Sequence, residues 1–120
     1  MSTSSEAVVS LVQSIDDVQF GTQIASATSG PALVVFGAPW CNPCKQLRPN
    51  LDAVAKKYEG KLEVFYYDVD KSNSYANVYS VRGVPTMLLF VRGDLKGSMT
   101  GYQAVRKIEE FIDPLLPPVV

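Results

Sequence analysis

The sequence contains no histidine. That removes imidazole general acid–base chemistry, Cys–His nucleophilic pairs and His metal ligands together. Cysteine is almost as scarce, with only Cys41 and Cys44 present. A four-ligand zinc site of Cys and His therefore cannot be built from this chain alone, and a disulfide-stapled scaffold is excluded. No Lys or Arg occurs before Lys45, no basic run follows it, and the net charge is −1. The chain thus lacks the electrostatic footprint of a nucleic-acid binder and the polybasic patch of a membrane-surface protein. No apolar run reaches membrane-spanning length. The opening residues, Met1-Ser2-Thr3-Ser4-Ser5-Glu6, have neither the cationic start and apolar stretch of a secretory signal nor the arginines of a mitochondrial transit peptide. The expected location is cytoplasmic, with no nucleic acid and no membrane among the partners.

What is present is enough apolar sequence for one self-sufficient core. The chain has 120 residues, 47% of them hydrophobic, which fits a single domain that needs no staple or structural metal. The expected organisation is a disordered start over residues 1–6, one domain over 7–116 and a tail over 117–120.

Patterning predicts the elements. Residues 8–12 are a short apolar run fit for a strand, and Ser14-Ile15-Asp16-Asp17 has the form of a helix capping box. The helix it opens runs to about Ala27, with Val18, Phe20 and Ile24 facing inward. Ala32-Leu33-Val34-Val35-Phe36 is continuously apolar, as a strand buried on both faces requires. Leu47, Leu51, Val54, Ala55 and Tyr58 recur at helical spacing within residues 41–58, with Pro43 in the first turn and Pro49 inside, where it should bend the helix. Strands follow at 62–69 and 86–91, with a short helix at 72–79 between them, capped by Ser72. Arg92-Gly93-Asp94 is a tight turn into an edge strand at 95–100. A last helix spans 104–116, bent or ended by Pro114. The order β-α-β-α-β-α-β-β-α predicts an α/β fold: a mixed β-sheet of about five strands flanked by about four helices.

The segment Trp40-Cys41-Asn42-Pro43-Cys44-Lys45 falls where a buried strand gives way to a helix. A thiol at a helix N-terminus meets free N–H groups and the positive end of the helix dipole, which favours the thiolate by about 0.3–1 kcal/mol. Two intervening residues allow both sulfurs to meet on the first helical turn. Such a pair suits thiol–disulfide exchange. Cys41, expected to be exposed, attacks a substrate disulfide, and Cys44, one turn inward, resolves the mixed disulfide. Pro43 stiffens the loop, and Trp40 offers a flat apolar contact beside the sulfur. Blander alternatives stand beside this one: half of a zinc site shared between chains, a structural disulfide across a loop too short to restrain the unfolded chain much, or two inert buried thiols.

Trp40-Cys41-x-Pro43-Cys44-Lys45 resembles the active site of the thioredoxin family, and Arg82-Gly83-Val84-Pro85-Thr86 resembles that family's second hallmark. Pro49, the 62–70 strand and its exit, and Gly101 before the last helix extend the similarity over roughly residues 8–113. The resemblance implies a thioredoxin fold and a protein-disulfide reductase that works as an electron carrier through a redox disulfide between Cys41 and Cys44. It implies that Pro85 is cis. It also implies a client groove formed by Trp40, Gly83, Val84, Pro85, Gly101 and Tyr102, shaped at the dithiol by Asn42, Pro43 and Lys45. No bound cofactor or metal is implied. Reducing equivalents would come from NADPH through thioredoxin reductase, and clients would be disulfide-containing proteins such as peroxiredoxins, met by a monomer.

The sequence departs from the family pattern at four places. Val35 stands where the family usually has a buried aspartate credited with taking the proton of the inner cysteine. Tyr66 replaces a lysine beneath it, Gly37 a frequent tryptophan, and Asn42 the usual glycine. A disulfide oxidase or isomerase on the same fold is one alternative, argued against by Asn42 and Pro43. A non-catalytic docking module is the other, argued against by the intact cysteines.

Overall fold

The computed structural model describes residues 11–25 and 30–117. Its elements are β1 (Val12–Ile15), α1 (Asp17–Gln23), β2 (Ala32–Gly37), α2 (Asn42–Lys57), β3 (Glu63–Asp68), α3 (Ser74–Val78), β4 (Thr86–Val91), β5 (Asp94–Thr100) and α4 (Val105–Ile112), followed by a 3-10 turn over Asp113–Leu115. The five strands form one sheet in the order β1-β3-β2-β4-β5. β3 pairs in parallel with both β1 and β2, and β4 pairs antiparallel with β2 and β5. The expected α/β architecture of a five-stranded mixed sheet and four helices is what forms.

The two central strands explain their own composition. All six residues of β2 and all six of β4 are buried, because helices cover both faces of the sheet there. Side chains alternate between two cores. Leu33 and Val35 point into one, with Leu47, Leu51 and Val54 of α2 and Ile108 and Ile112 of α4. Val34 and Phe36 point into the other, with Phe20 and Ile24 from the α1 segment and Ala76 of α3. Phe20 is the hub of the second core. It stacks on Tyr75 at 4.1 Å and meets Phe90 and Tyr67 edge-on.

Three local expectations need correction. The first strand lies at Val12–Ile15 rather than at 8–12, of which residues 8–10 lie outside the described residues. Its register, Val12 on Val64 through Ile15 on Tyr67, buries Val12 and Ile15 and draws Ser14 into the ladder. The helix cap therefore falls to Asp16. Its Oδ1 accepts from the Gln19 N–H at 2.9 Å, while Gln19 Oε1 accepts from the Asp16 N–H at 3.0 Å, a complete capping box. Val18 is 74% exposed, since it lies about 200° round the helix from Phe20. The end of the predicted helix, 26–27, and the segments 1–6 and 118–120 also lie outside the described residues. The third correction is at α3, which starts at Ser74 after Asn73, with no side-chain cap and no role for Ser72.

α2 runs through Pro49 as one helix. α4 stops at Ile112 and tightens into the 3-10 turn that holds Pro114. The β4–β5 hairpin turns on Arg92 and Gly93, at φ 55° and 83°, the left-handed pair that a two-residue hairpin needs. Antiparallel pairing is what builds the site. Phe36 near the end of β2 lies opposite Thr86 at the start of β4. The segment after β2, which holds the cysteines, is thereby placed beside the segment before β4, which holds Val84 and Pro85.

Candidate active site

Ala38, Pro39 and Trp40 turn the chain from β2 into α2, and the Cys41 N–H donates to the Ala38 carbonyl at 3.2 Å. Cys41 is the helix N-cap in an extended conformation, and Pro43 occupies the first turn. Its sulfur takes the place usually held by a Ser or Asp oxygen: the Cys44 N–H points at Cys41 Sγ at 3.2 Å. Cys41 and Cys44 are joined as a disulfide with their Cα atoms 5.2 Å apart. The second side of the site comes from the other motif. The Val84–Pro85 peptide is cis, and the Val84 carbonyl oxygen lies 3.7 Å from Cys41 Sγ, across 43 residues of sequence.

Cys41 is not exposed as expected. It is 4% accessible and Cys44 1%, because Ala38, Val69 and Val84 close over the pair. Accessibility belongs to the flanks: Trp40 is 66% exposed, and Asn42, Pro43 and Lys45 are exposed too. The Trp40 Nε1–H donates to Asp70 Oδ1 at 3.3 Å, and the Asp70 N–H donates to Asp68 Oδ1 at 2.9 Å. A shallow groove of about 300 Å³ runs from Trp40 past Val69, Arg82 and Gly83 to Val84. A second hollow of about 340 Å³ lies on the other side, between Val84, Pro85 and Gly101.

Gly101 closes that side. Its φ of 81° lets its N–H donate to the Pro85 carbonyl at 2.8 Å, and glycine holds that backbone without steric cost. The Thr86 hydroxyl donates to the Gly83 carbonyl at 2.6 Å and braces the loop from inside. Tyr102 follows Gly101 and is exposed. Trp40, Gly83, Val84, Pro85 and Gly101 thus lie at the dithiol or in the loop and hollow against it, while Tyr102 adjoins Gly101 in sequence and contacts Asn50.

Val35 is fully buried, and its partner across β2–β3 is Tyr66. Burial chiefly raises the Tyr66 pKa; Arg48 opposes this and Asp68 adds to it. The Arg48 guanidinium lies 4.3 Å over the Tyr66 ring, a cation–π contact. The Tyr66 hydroxyl end lies against Gly37, where any Cβ would overlap it. Gly37 and Tyr66 are one packing unit.

Sequence reasoning missed Asp70 and Asn50. Asp70 anchors the indole. Asn50 of α2 donates to the Tyr102 hydroxyl and the Gln103 carbonyl. Neither sits in a motif, and only the folded contacts reveal them. Among the described residues no cluster of three or more His, Cys, Asp or Glu is placed to hold a metal ion, and no helix is long and apolar enough to cross a membrane.

Comparison with known proteins agrees with this geometry. The family model described as Thioredoxin matches residues 11–114. The chain is similar to the thioredoxin of Pseudomonas aeruginosa, 35% identical over 102 residues that cover 85% of this chain and 94% of that protein. It is also similar to thioredoxin M-type, chloroplastic, of Spinacia oleracea, 35% identical over 107 residues covering 89% of this chain and 59% of that protein. The corresponding protein of Pisum sativum is 37% identical over 105 residues, covering 88% of this chain and 60% of its own length. With a disulfide-bonded Cys-x-x-Cys at the head of α2 and this likeness over most of its length, the chain belongs to the thioredoxin family and is a thiol–disulfide oxidoreductase of the protein-disulfide reductase type.

Proposed function

We propose that Cys41 is the attacking nucleophile and Cys44 the resolving thiol in reduction of client-protein disulfides. The carrying observation is the cap geometry: the Cys44 N–H already points at Cys41 Sγ at 3.2 Å, and an N–H aimed at that sulfur stabilises a thiolate more than a thiol. The Cys41 thiolate attacks one sulfur of the client disulfide. The client S–S bond breaks and its other sulfur leaves as a thiolate, which takes up a proton. Cys44 then loses its proton and attacks Cys41 Sγ, the mixed disulfide breaks, and the second client thiol departs. Two electrons and two protons reach the client, and the Cys41–Cys44 disulfide remains.

Trp40, Gly83, Val84, Pro85, Gly101 and Tyr102 hold an extended client segment, with Asn42, Pro43 and Lys45 shaping its approach. The disulfide is recharged with NADPH-derived electrons by thioredoxin reductase, and disulfide-forming proteins such as peroxiredoxins are the client class. The chain works as a monomer and carries no bound cofactor of its own. It acts in the cytoplasm, a compartment reducing enough to keep a dithiol carrier charged.

Dithiothreitol-driven reduction of insulin disulfides near neutral pH is the test. Turnover that disappears in Cys41→Ser, together with a trapped mixed disulfide in Cys44→Ser, is the expected result. Turnover retained by Cys41→Ser would reverse the assignment.

A further inference from the structure

Asn50 lies on α2 two turns beyond the cysteines, yet it reaches the segment that follows Gly101. Its Nδ2 donates to the Tyr102 hydroxyl at 3.1 Å and to the Gln103 carbonyl at 2.9 Å. Both hydrogens of the amide are used, and both partners accept, so only one amide orientation serves. The loop is tied from its other side as well. Gln103 Nε2 donates to the Thr100 carbonyl at 2.9 Å, and the Gly101 N–H donates to Pro85. A closed circuit results: Cys41 meets Val84, Pro85 holds Gly101, Gly101 precedes Tyr102, and Asn50 returns Tyr102 to the helix that carries the cysteines.

The direction of the Asn50–Tyr102 bond matters. The Tyr102 oxygen accepts, so its own O–H stays available as a donor. The ring above it is exposed while Trp40 is exposed on the other flank. Two exposed aromatic side chains are thus each fixed at the polar end: Trp40, next to Cys41, by Asp70, and Tyr102, next to Gly101, by Asn50.

We propose that Asn50 is a positioning residue for client recognition. It holds Tyr102 as the second wall of the groove and so selects protein disulfides that carry an apolar or aromatic side chain beside the reacting cysteine, with a backbone carbonyl placed to accept from the Tyr102 hydroxyl. Asn50 touches neither sulfur, and its effect runs through Tyr102. This inference rests on the disulfide-reductase reading above.

The test compares a protein disulfide, insulin, with a small aliphatic one, bis(2-hydroxyethyl) disulfide, which has neither a peptide backbone nor an apolar side chain for Tyr102 to recognise. In Asn50→Ala the KM for insulin rises about fivefold, the size of one lost hydrogen bond. Its kcat, its rate with the small disulfide and its glutathione-equilibrium potential stay at the parent values. Tyr102→Phe, which keeps the ring and removes the hydroxyl, gives a smaller rise in KM, and the two changes combine to less than their product. Asn50→Leu, which keeps the size and removes every hydrogen-bonding group, follows Asn50→Ala. An unchanged insulin KM, an equal loss with both disulfides, or a moved potential overturns the proposal. Should Asn50→Ala fail to fold, Asn50→Ser, whose shorter side chain loses both bonds, carries the same comparison. A parent protein that reduces neither disulfide refutes the reductase reading itself, which the small-disulfide arm detects separately.

Discussion

Val35 and Tyr66 are direct partners across the β2–β3 ladder, one sealed in the core and the other half-buried beneath the Arg48 guanidinium. Neither supplies a carboxylate. Cys44, itself buried, is expected to pass its proton to water or to the departing client thiolate instead.

Val35→Asp places a carboxyl group in a fully buried apolar strand. Mixed-disulfide resolution should speed up near neutral pH, and equal single-turnover rates would refute the idea. Burying the neutral carboxyl alone costs roughly 1–3 kcal/mol. Burial raises the pKa of the new carboxyl above its unfolded value of about 3.9. The folded variant is therefore closest to the parent below about pH 4 and loses ground as pH rises toward the folded pKa. Melting curves at the two pH values check the sign.

Gly37→Ala drives a methyl group into Tyr66. A loss of about 1–3 kcal/mol is expected from overpacking. The double change with Tyr66→Leu, which removes the ring, should recover most of that loss. Urea unfolding of the four proteins in the cycle measures it, and strict additivity would show that the two residues do not compete for one space.

Ser80 ends the α3 segment at φ 58°, with the Val81 N–H closing back on the Ala76 carbonyl at 2.8 Å. A non-glycine residue pays about 1–2 kcal/mol for a left-handed backbone. Ser80→Gly should therefore stabilise the protein, by about 0.5–1 kcal/mol once the greater freedom of glycine in the unfolded chain is counted. The chemical-denaturation midpoint reads this directly.

Tyr67 is buried, its hydroxyl donates to Asp17 and it accepts from the Tyr75 N–H. Burial first, then the Asp17 contact, pushes its pKa from 10.0 up to about 12. The folded state thus holds the phenol proton more tightly than the unfolded chain does. This contribution is complete below about pH 10 and is lost as pH rises through about 12. Tyr67→Phe should be less stable near neutrality and show a shallower alkaline decline, as followed by stability measured from pH 9 upward.

Much of this was legible in the residues. β2 and β4 announced themselves as unbroken apolar runs, since helices on both faces leave no polar side. The dithiol was legible because its chemistry needs two cysteines on one turn. The first cap was misplaced because Ser14 and Asp16 both suit the role locally. Pairing of β1 with β3 decided between them, and that contact spans about half the chain. The concealment of Cys41 under Val84, the nesting of Tyr66 against Gly37 and the reach of Asn50 to Tyr102 are all long-range. Periodicity reports which face a residue takes, and it is silent on which partner waits there.

Trp40 is the sole tryptophan, and it stands in solvent at the lip of the dithiol with its indole nitrogen moored to Asp70. The chain thereby carries an optical reporter wired to the wrong event for a folding study and the right one for a binding study. Unfolding moves the indole from water to water, so its emission wavelength shifts little. The Phe20–Tyr75–Tyr67 cluster in the core carries the near-ultraviolet signal of the fold instead. A client that covers the lip dries the indole, and its arrival is written in tryptophan light alone.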